Sequence, residues 1–430
     1  MDEGTVATQA ADVVDAAVGL LRPHFARPEA HGHAADYLRG LLAEVERKNG
    51  WQLAEQAGYR HPRGIQRVLD RYVWDADAVR DDLRQYVIDE LGDPTGVLVV
   101  DETGFPKQGR HSAGVARQYS GTLGKIANCQ VGVFLGYASA HGHVALDREL
   151  FIPQDWFTTP ERCRAVGIPE TLAHRTKPAL ALAMLERALD GGVPAAWVTG
   201  DAVYGSDCKL RRALEARGQS YVLAVRTNEH VSTWPPYGPP AQTTVTAVAA
   251  TIAAAAWQRL SCGAGAQGPR LYDWAYVPVR PALADGWVHG VLLRRHPEHP
   301  EDVASYVVYA PDGTPLTEVV RVAGARWSID DLFKLAKGQV GLDQYEVRSW
   351  AGWYRHLTLA LVALAVLTVG ARKKGGHPAQ STSPSPCRRS AASWSASSGR
   401  RSAAPRRLPR GPAGGGSTNK SRRLATSVAA

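Results

Sequence analysis

Cysteine is scarce in this 430-residue chain: the five that occur are odd in number and share no paired spacing. Reduced thiols are therefore expected, rather than disulfides or a zinc site. The chain also lacks the Gly-Lys-Ser/Thr loop that cradles phosphates, which argues against nucleotide hydrolysis. Its histidines belong to no Ser or Cys motif, so a nucleophile triad has no support.

Long hydrophobic runs are absent as well. The uncharged run from Leu357 to Ala371 has 15 residues, whereas a helix that spans a bilayer needs roughly 20. We expect a buried helix packed on the sheet of the domain, and no membrane partner. No signal peptide is recognised at the start of the sequence, so a cytoplasmic location is expected.

Acidic residues are missing from residues 372–430, which carry thirteen of the 50 Lys and Arg. The preceding residues hold 37 basic and 41 acidic side chains, a net charge of −4. The overall charge of +9 is therefore no argument that the body binds nucleic acid. The tail is rich in Ser, Pro, Ala, Gly and Arg, cannot bury a core, and is predicted to be disordered.

Two aspartates each follow a short apolar run. Asp101 comes after VLVV, and Asp201 comes after AAWVTG. Runs of this length bounded by turn residues suit buried strands, so each Asp is expected at a strand end, on the rim of a sheet. For either residue alone, an Asp that starts a turn or caps a helix explains the pattern equally well.

A third aspartate lies on a later helix. At 100° per residue, Arg326, Asp330 and Lys337 fall within about 40° of one another. This stripe borders an apolar face made of Ile329, Leu332, Phe333, Ala336 and Val340. Taken alone, the segment fits a surface helix with charge pairs four residues apart.

Together the three aspartates offer hard oxygen donors with no Cys or His spacing nearby, which favours magnesium or manganese over zinc. Two such ions would activate a water and stabilise the leaving oxygen of a phosphodiester. Arg326 and Lys337 would then hold phosphate oxygens.

The blocks VLVVDETGFPKQG, PAAWVTGDAVYG and RWSIDDLFKLAKGQVGLDQYEVRSW follow one another in an order that resembles the DDE transposases of bacterial insertion sequences, insertion-sequence family 701. The resemblance runs from about residue 37 to residue 370. It implies an α/β, ribonuclease-H-like catalytic domain, with Asp101 on the first strand, Asp201 on the fourth and the third acid on a following helix.

The same resemblance implies cleavage of double-stranded DNA at terminal inverted repeats, and strand transfer into target DNA. Asp101, Asp201 and Asp330 would hold two Mg²⁺ ions, for which Mn²⁺ can substitute. A homodimer is implied in synapsis, and association with the nucleoid when DNA is bound.

The helix motif departs from the family pattern. At the positions of the family's Tyr, Arg, Glu and Lys, this sequence has Ala323, Arg326, Asp330 and Lys337. The glutamate is thus an aspartate, one methylene shorter, and metal sites are sensitive to such displacements. One alternative is therefore a degenerate copy that binds terminal repeats without cutting. Another, a metal phosphoesterase for small substrates, leaves the helical N-terminal region without a role.

The sequence divides into five predicted segments: an all-helical N-terminal domain (1–94), the first part of the catalytic core (95–226), a β-rich insertion (227–320), the C-terminal helices of the core (321–371) and the basic tail (372–430). The resemblance stops near Gly375. We therefore hypothesise that the tail is read out of frame, because its composition is that of a shifted GC-rich coding sequence.

In the N-terminal segment, residues 34–48 fit an amphipathic helix that ends at Asn49 and Gly50. WQLAEQAG and GIQRVLDRYVW then outline a helix-turn-helix. In that interpretation Arg63 and Arg67 meet the DNA end, together with Gln66 and Arg71. A small helical bundle with solvated arginines is an equally good explanation.

Two further segments carry weaker indications. The cationic stretch from Pro106 to Lys125, with Lys107 and Arg110, could track the DNA backbone, or it is an exposed hairpin with ordinary surface charge. In the insertion, TTVTAV is expected to be a strand. Trp274 lies in an alternating strand and is expected in the core, the other interpretation being a platform that stacks a base.

Overall fold

The computed structural model describes residues 3–234, 239–265, 268–280 and 286–375. Residues 376–430 are outside the described residues, so the predicted disorder and frame shift of the tail stay predictions there. Cys387 lies in the same segment. The four described cysteines, Cys129, Cys163, Cys208 and Cys262, are free thiols, as the sequence predicts.

Five helices precede the first strand. They are α1 (Glu3–Leu21), α2 (Pro28–Leu42), α3 (Gly50–Gln56), α4 (Arg63–Asp70) and α5 (Ala76–Leu91). Helices α2, α3 and α4 contact one another, and each contributes buried apolar residues, such as Leu38, Leu53 and Ile65. This arrangement is a small helical bundle.

Asn49 begins a helix rather than ending one. Helix α2 ends at Leu42, and the Asn49 side chain accepts hydrogen bonds from the backbone N–H groups of Trp51 and Gln52, both at 3.0 Å. The prediction that a helix runs to residue 48 and stops at Asn49 is wrong. The reason is that Asn is as good at satisfying the first N–H groups of a helix as it is at ending one.

The described strands number twelve. They are β1 (Gly96–Pro106), β2 (Ala116–Ser120), β3 (Lys125–Ser139), β4 (Gly142–Phe151), β5 (Ala195–Gly200), β6 (Ser220–Val225), β7 (His230–Thr233), β8 (Ala241–Thr244), β9 (Gln258–Gly265), β10 (Gly268–Arg280), β11 (Trp287–Arg295) and β12 (Val303–Pro311).

The helices among and after these strands are α6 (Pro160–Ala165), α7 (Lys177–Asp190), α8 (Ala202–Gly205), α9 (Cys208–Ala216), α10 (Val245–Ala250), α11 (Leu316–Ala325), α12 (Trp327–Val340) and α13 (Trp350–Lys373). Short 3-10 turns lie at Arg22–His24, Gly121–Leu123, Gln154–Thr158 and Ala254–Ala256.

Ten of the described strands form one mixed sheet in the order β2-β3-β1-β5-β6-β12-β11-β10-β9, with β4 paired to β3. Strands β1, β3 and β4 are antiparallel neighbours, whereas β5 and β6 run parallel to β1. Three antiparallel strands followed by two parallel ones, with helices between them, are the ribonuclease-H-like arrangement. The predicted fold class is confirmed.

Most strands of the insertion extend this sheet, whereas β7 and β8 pair with each other in a separate two-stranded sheet. Strand β12 pairs with β6, and β11, β10 and β9 follow outward. Trp274 on β10 is fully buried, as expected for a core residue. The strand predicted for TTVTAV is confirmed only at Thr243 and Thr244, which end β8. From Val245 onward the prediction is wrong, because Thr244 caps α10 by accepting a hydrogen bond from the Ala247 N–H and the chain turns into that helix.

Helix α13 closes the fold. It is longer than the uncharged run within it, and it is apolar enough by length and composition to cross a membrane, but 78% of its most apolar window is buried inside the protein. It packs on β4 and on α1, α2 and α5, which confirms the predicted buried helix. In its second turn His356 contacts the Tyr37 hydroxyl at 2.8 Å, and burial lowers the pKa of His356 to about 4.

Candidate active site

Asp101 lies in the middle of β1. The strand continues to Pro106 because β3 pairs with it along this stretch, from Asp101 opposite Phe134 to Pro106 opposite Cys129. The expectation that the strand ends just before Asp101 is therefore wrong. What ends there is the parallel pairing with β5, whose last partners are Val100 and Gly200.

Asp201 follows Gly200 directly, so it occupies the next position beside Asp101. Neighbouring strands lie about 4.8 Å apart, and the two carboxylates interact electrostatically. Asp201 also caps α8, because its side chain accepts a hydrogen bond from the Val203 N–H at 2.8 Å. The two explanations that the sequence leaves open for this residue are thus compatible.

The negative charges of Asp101 and Asp201 are not fully compensated by nearby positive charge. Burial raises the pKa of Asp101 to about 8, and the carboxylates of Asp201 and Glu102 add to the effect. The pKa of Asp201 is raised too, by burial and then by Glu102. Arg326 opposes both shifts, with its Nη1 3.8 Å from the Asp101 Oδ2, but it does not cancel them. Two crowded hard-oxygen donors that lack positive charge fit a divalent cation such as Mg²⁺.

Glu102 has partners of its own. It accepts a hydrogen bond from Lys177 at 2.6 Å and one from the Tyr204 hydroxyl at 2.5 Å. Tyr204 is fully buried, and its place three residues after Asp201 ties the short helix α8 to β1. Sequence reasoning misses Lys177 and Tyr204. The sequence signal that could have found them is Glu102, the second acid of the triplet DET, because an acid next to a buried strand needs a hydrogen-bond donor as partner.

Helix α12 lies along β1 with the predicted charged stripe facing the strand. At one end Arg326 contacts Asp101. At the other, the Lys337 ammonium donates to the Thr103 hydroxyl at 2.7 Å and to the Gly104 carbonyl at 3.3 Å. The five residues of the predicted apolar face are all buried.

Asp330 lies on this stripe but not against the other two acids. Although its side chain is exposed by surface area, partial desolvation raises its pKa and Asp331 adds to the rise, whereas Arg326 and Arg270 oppose it. Within the described ranges, no three Asp, Glu, His or Cys side chains lie close enough to hold one metal ion. The structure thus brings Asp101 and Asp201 together, and Arg326 interacts electrostatically with all three aspartates.

The other predicted DNA contacts differ in how accessible they are. Lys107 lies over the Tyr345 ring, 3.6 Å from its centroid, and donates to the Tyr345 carbonyl at 3.3 Å; burial lowers the pKa of Lys107 to about 8. Arg110 is exposed. Arg63 and Arg67 are exposed on α4, whose opposite face is buried.

A ribonuclease-H-like sheet with adjacent acids on its first and fourth core strands, and a helix stripe of Arg, Asp and Lys against the first strand, is the framework of a metal-dependent nuclease domain. The DDE superfamily endonuclease family matches residues 20–269, more than half of the chain. The chain therefore belongs to this family. The match includes Asp101 and Asp201 and ends before α12.

Among curated proteins, the chain is similar to the probable transposase for insertion sequence element IS701 of Microchaete diplosiphon. The two are 26% identical over 202 residues, which cover 46% of this chain and 49% of the relative. The match thus spans about half the length of that relative.

Proposed function

We propose that this chain is a transposase that cuts double-stranded DNA at the terminal inverted repeats of an insertion sequence and joins the ends to target DNA. The observation that carries the proposal is the pair Asp101 and Asp201, two carboxylates held side by side by the register of β1 and β5, with less positive charge than they need. Membership of the DDE superfamily endonucleases and the similarity to the IS701 transposase support it.

Asp101 and Asp201 would hold Mg²⁺, with Asp330 as the third ligand; Mn²⁺ would serve as well. When bound, two such ions supply Lewis-acid activation of a water or hydroxyl group and stabilise the leaving oxygen of the phosphodiester. The chain's part is to hold Asp101 and Asp201 in fixed positions, whereas their deprotonated forms would be favoured by the bound cations. Asp201 is fixed by its capping bond to Val203, and Asp101 by accepting a hydrogen bond from the Glu102 N–H at 2.7 Å.

Arg326 and Lys337 would orient the DNA strand. Both contact β1, on either side of the position of Asp330 along α12. A guanidinium can grip two phosphate oxygens, whereas an ammonium acts as a point charge. Arg326 would therefore position the reacting phosphate beside Asp101, and Lys337 a neighbouring phosphate.

DNA binding away from the catalytic acids would use the exposed arginines of the helix-turn-helix, Arg63 and Arg67, and the loop after β1, with Lys107 and Arg110. Lys107 would act through the loop it supports, because its ammonium is packed on Tyr345. The proposal also includes a homodimer that joins two transposon ends, a cytoplasmic location, and association with the nucleoid when DNA is bound.

The test is cleavage of a labelled insertion-sequence end in Mg²⁺ and in Mn²⁺ by the full chain and by its Asp101→Asn variant. The variant should lose on the order of a thousandfold or more in rate, as expected when one member of a catalytic unit is removed. Asp331→Asn is the matched control, because Asp331 is an exposed acid on α12 outside the proposed ligand set. Cleavage that survives in Asp101→Asn would refute the assignment.

A further inference from the structure

A cleft of about 780 Å³ lies where the loop after β1, the segment around α6 and the start of α13 meet. The side chains that define it are those of Arg110, His111, Trp156, Arg162, Arg348 and Ser349. None of the residues that line it is acidic. A concave surface with three arginines and no carboxylate in its lining selects for anions.

Two of the three arginines have no partner among the residues that the structure describes. Arg110 and Arg348 are exposed, and in the described part of the chain neither guanidinium forms an ion pair or a hydrogen bond. The Arg348 backbone is fixed, because its carbonyl accepts a hydrogen bond from the Ala113 N–H at 2.9 Å. The charged ends are therefore available to a ligand, while the backbone of Arg348 is held to the loop that follows β1.

The third arginine is held in place. The Arg162 guanidinium lies over the Trp156 ring, 3.7 Å from its centroid, and donates to the Val115 carbonyl at 2.9 Å. Trp156 is fully buried and donates to the same carbonyl at 3.0 Å. The nearest acid is the exposed Asp155, at 3.9 Å. A fixed guanidinium loses little freedom on binding an anion, which favours affinity.

Helix α13 adds to the positive potential. Ser349 caps it by accepting a hydrogen bond from the Gly352 N–H at 3.2 Å. The Trp350 N–H donates to the Val166 carbonyl at 2.8 Å, which fixes the start of the helix at the wall of the cleft. The N-terminus of a 24-residue helix carries a partial positive charge, in addition to the three arginines.

We propose that this cleft binds phosphates of the DNA backbone at a distance from the catalytic acids. The face of Trp156 is covered by Arg162, so this ring offers no platform for a base, and charge is the chemistry that the cleft recognises. The inference rests on the proposed function, to which it adds a second DNA contact, made by Arg162 and Arg348 together with Arg110.

The distance along β1 sets the place of this contact on the DNA. Five residues separate Asp101 from Pro106, roughly 17 Å of strand, and Arg110 lies further along the chain. At 3.4 Å of duplex per base pair, that is about five base pairs. The cleft would therefore contact a DNA segment about this far from the reacting phosphate, which a short cleavage substrate would not reach.

The test is the salt dependence of DNA binding by the full chain, measured by fluorescence anisotropy on a duplex that carries an insertion-sequence end. Each phosphate contact contributes about 0.9 to the slope of log affinity against log salt. The double variant R110Q/R348Q should therefore lose about two units of slope. R164Q is the matched control, because Arg164 is an exposed arginine on α6 that pairs with Glu161 outside the cleft, and it should keep the wild-type slope.

The charge-preserving variant R110K/R348K should keep most of the slope, which separates lost phosphate contacts from misfolding. An unchanged slope in R110Q/R348Q overturns the inference, and if DNA cleavage persists the proposed function stands without it. If the wild-type chain binds no DNA in this experiment, the proposed function itself is wrong. Inorganic phosphate or a nucleoside triphosphate that binds wild type but not R110Q/R348Q, with the DNA slope unchanged, would instead assign the cleft to a free anion.

Discussion

The two places that carry the proposed ligands are held by different means. Asp101 and Asp201 stand on neighbouring strands, where the register that pairs Val100 with Gly200 sets their spacing. Asp330 stands on a helix that packs across β1, and it lies apart from the other two acids although Arg326 and Lys337 on either side of it contact the strand. Backbone pairing thus fixes the positions of Asp101 and Asp201. For Asp330, the length of the side chain determines how far its carboxylate reaches towards them.

After Asp101→Asn, the change with the largest expected effect on cleavage is Asp330→Glu. The added methylene lets the carboxylate reach further from α12 towards Asp101, and a displacement of about 1 Å at a catalytic group can change rates by roughly a hundredfold. We expect cleavage of a labelled DNA end in Mg²⁺ to rise by tens to hundreds of times.

Asp331→Glu is the control for that comparison, since it lengthens the exposed neighbour of Asp330 without approaching β1. If wild type and Asp330→Glu cut equally fast, the aspartate is already a working ligand. The position of Asp330 on a helix, apart from the two strand acids, would then not limit catalysis.

The next effect concerns stability in the absence of divalent metal. The pKa of Asp101 is about 8 in the folded chain against an ordinary value of 3.8, so the folded state binds more protons than the unfolded state between these values. Stability should therefore fall as pH rises from about 4 to about 8. Asp101→Asn should remove this contribution and raise the melting temperature at pH 8 by a few degrees.

Melting curves of wild type and Asp101→Asn at pH 5 and at pH 8, in chelator, measure this difference. Other groups titrate in the same range, so the comparison between the two proteins carries the result. Adding Mg²⁺ should stabilise wild type at pH 8 more than the variant. If the melting temperatures of the two proteins changed with pH in parallel, Asp101 would not be the acid with the raised pKa.

The smallest effect is expected for Tyr204→Phe. The substitution removes the hydrogen bond to Glu102 but leaves Lys177 in place, so the free energy of unfolding should fall by about 1 kcal/mol. Chemical denaturation measures it, with Tyr119→Phe as the control, because Tyr119 is half exposed. Cleavage should fall less than it does in Asp101→Asn, because Tyr204 orients α8 and is no ligand.

Several elements could be predicted from local patterns alone. The apolar face of α12 repeats every three to four residues, and all five of its members are buried. The strand runs before Asp101 and Asp201 are apolar, and both lie in the core sheet. The sequence does not decide where one local pattern fits two structures. Asn49 begins α3 instead of ending α2. Thr244 ends β8 and caps α10, so the strand that the β-branched residues predict stops there.

By itself the sequence determined the periodic elements and the residues that carry charge onto one stripe of α12, because these follow from the spacing of side chains along the chain. The fold class was implied by the resemblance of whole sequence blocks to a known family, and not by spacing. Tertiary structure alone decided that β1 continues past Asp101, that Arg326 contacts Asp101, and that Arg110, Arg162 and Arg348 line one cleft. Those facts depend on pairing and packing between segments that are distant in the sequence, and no local spacing encodes them.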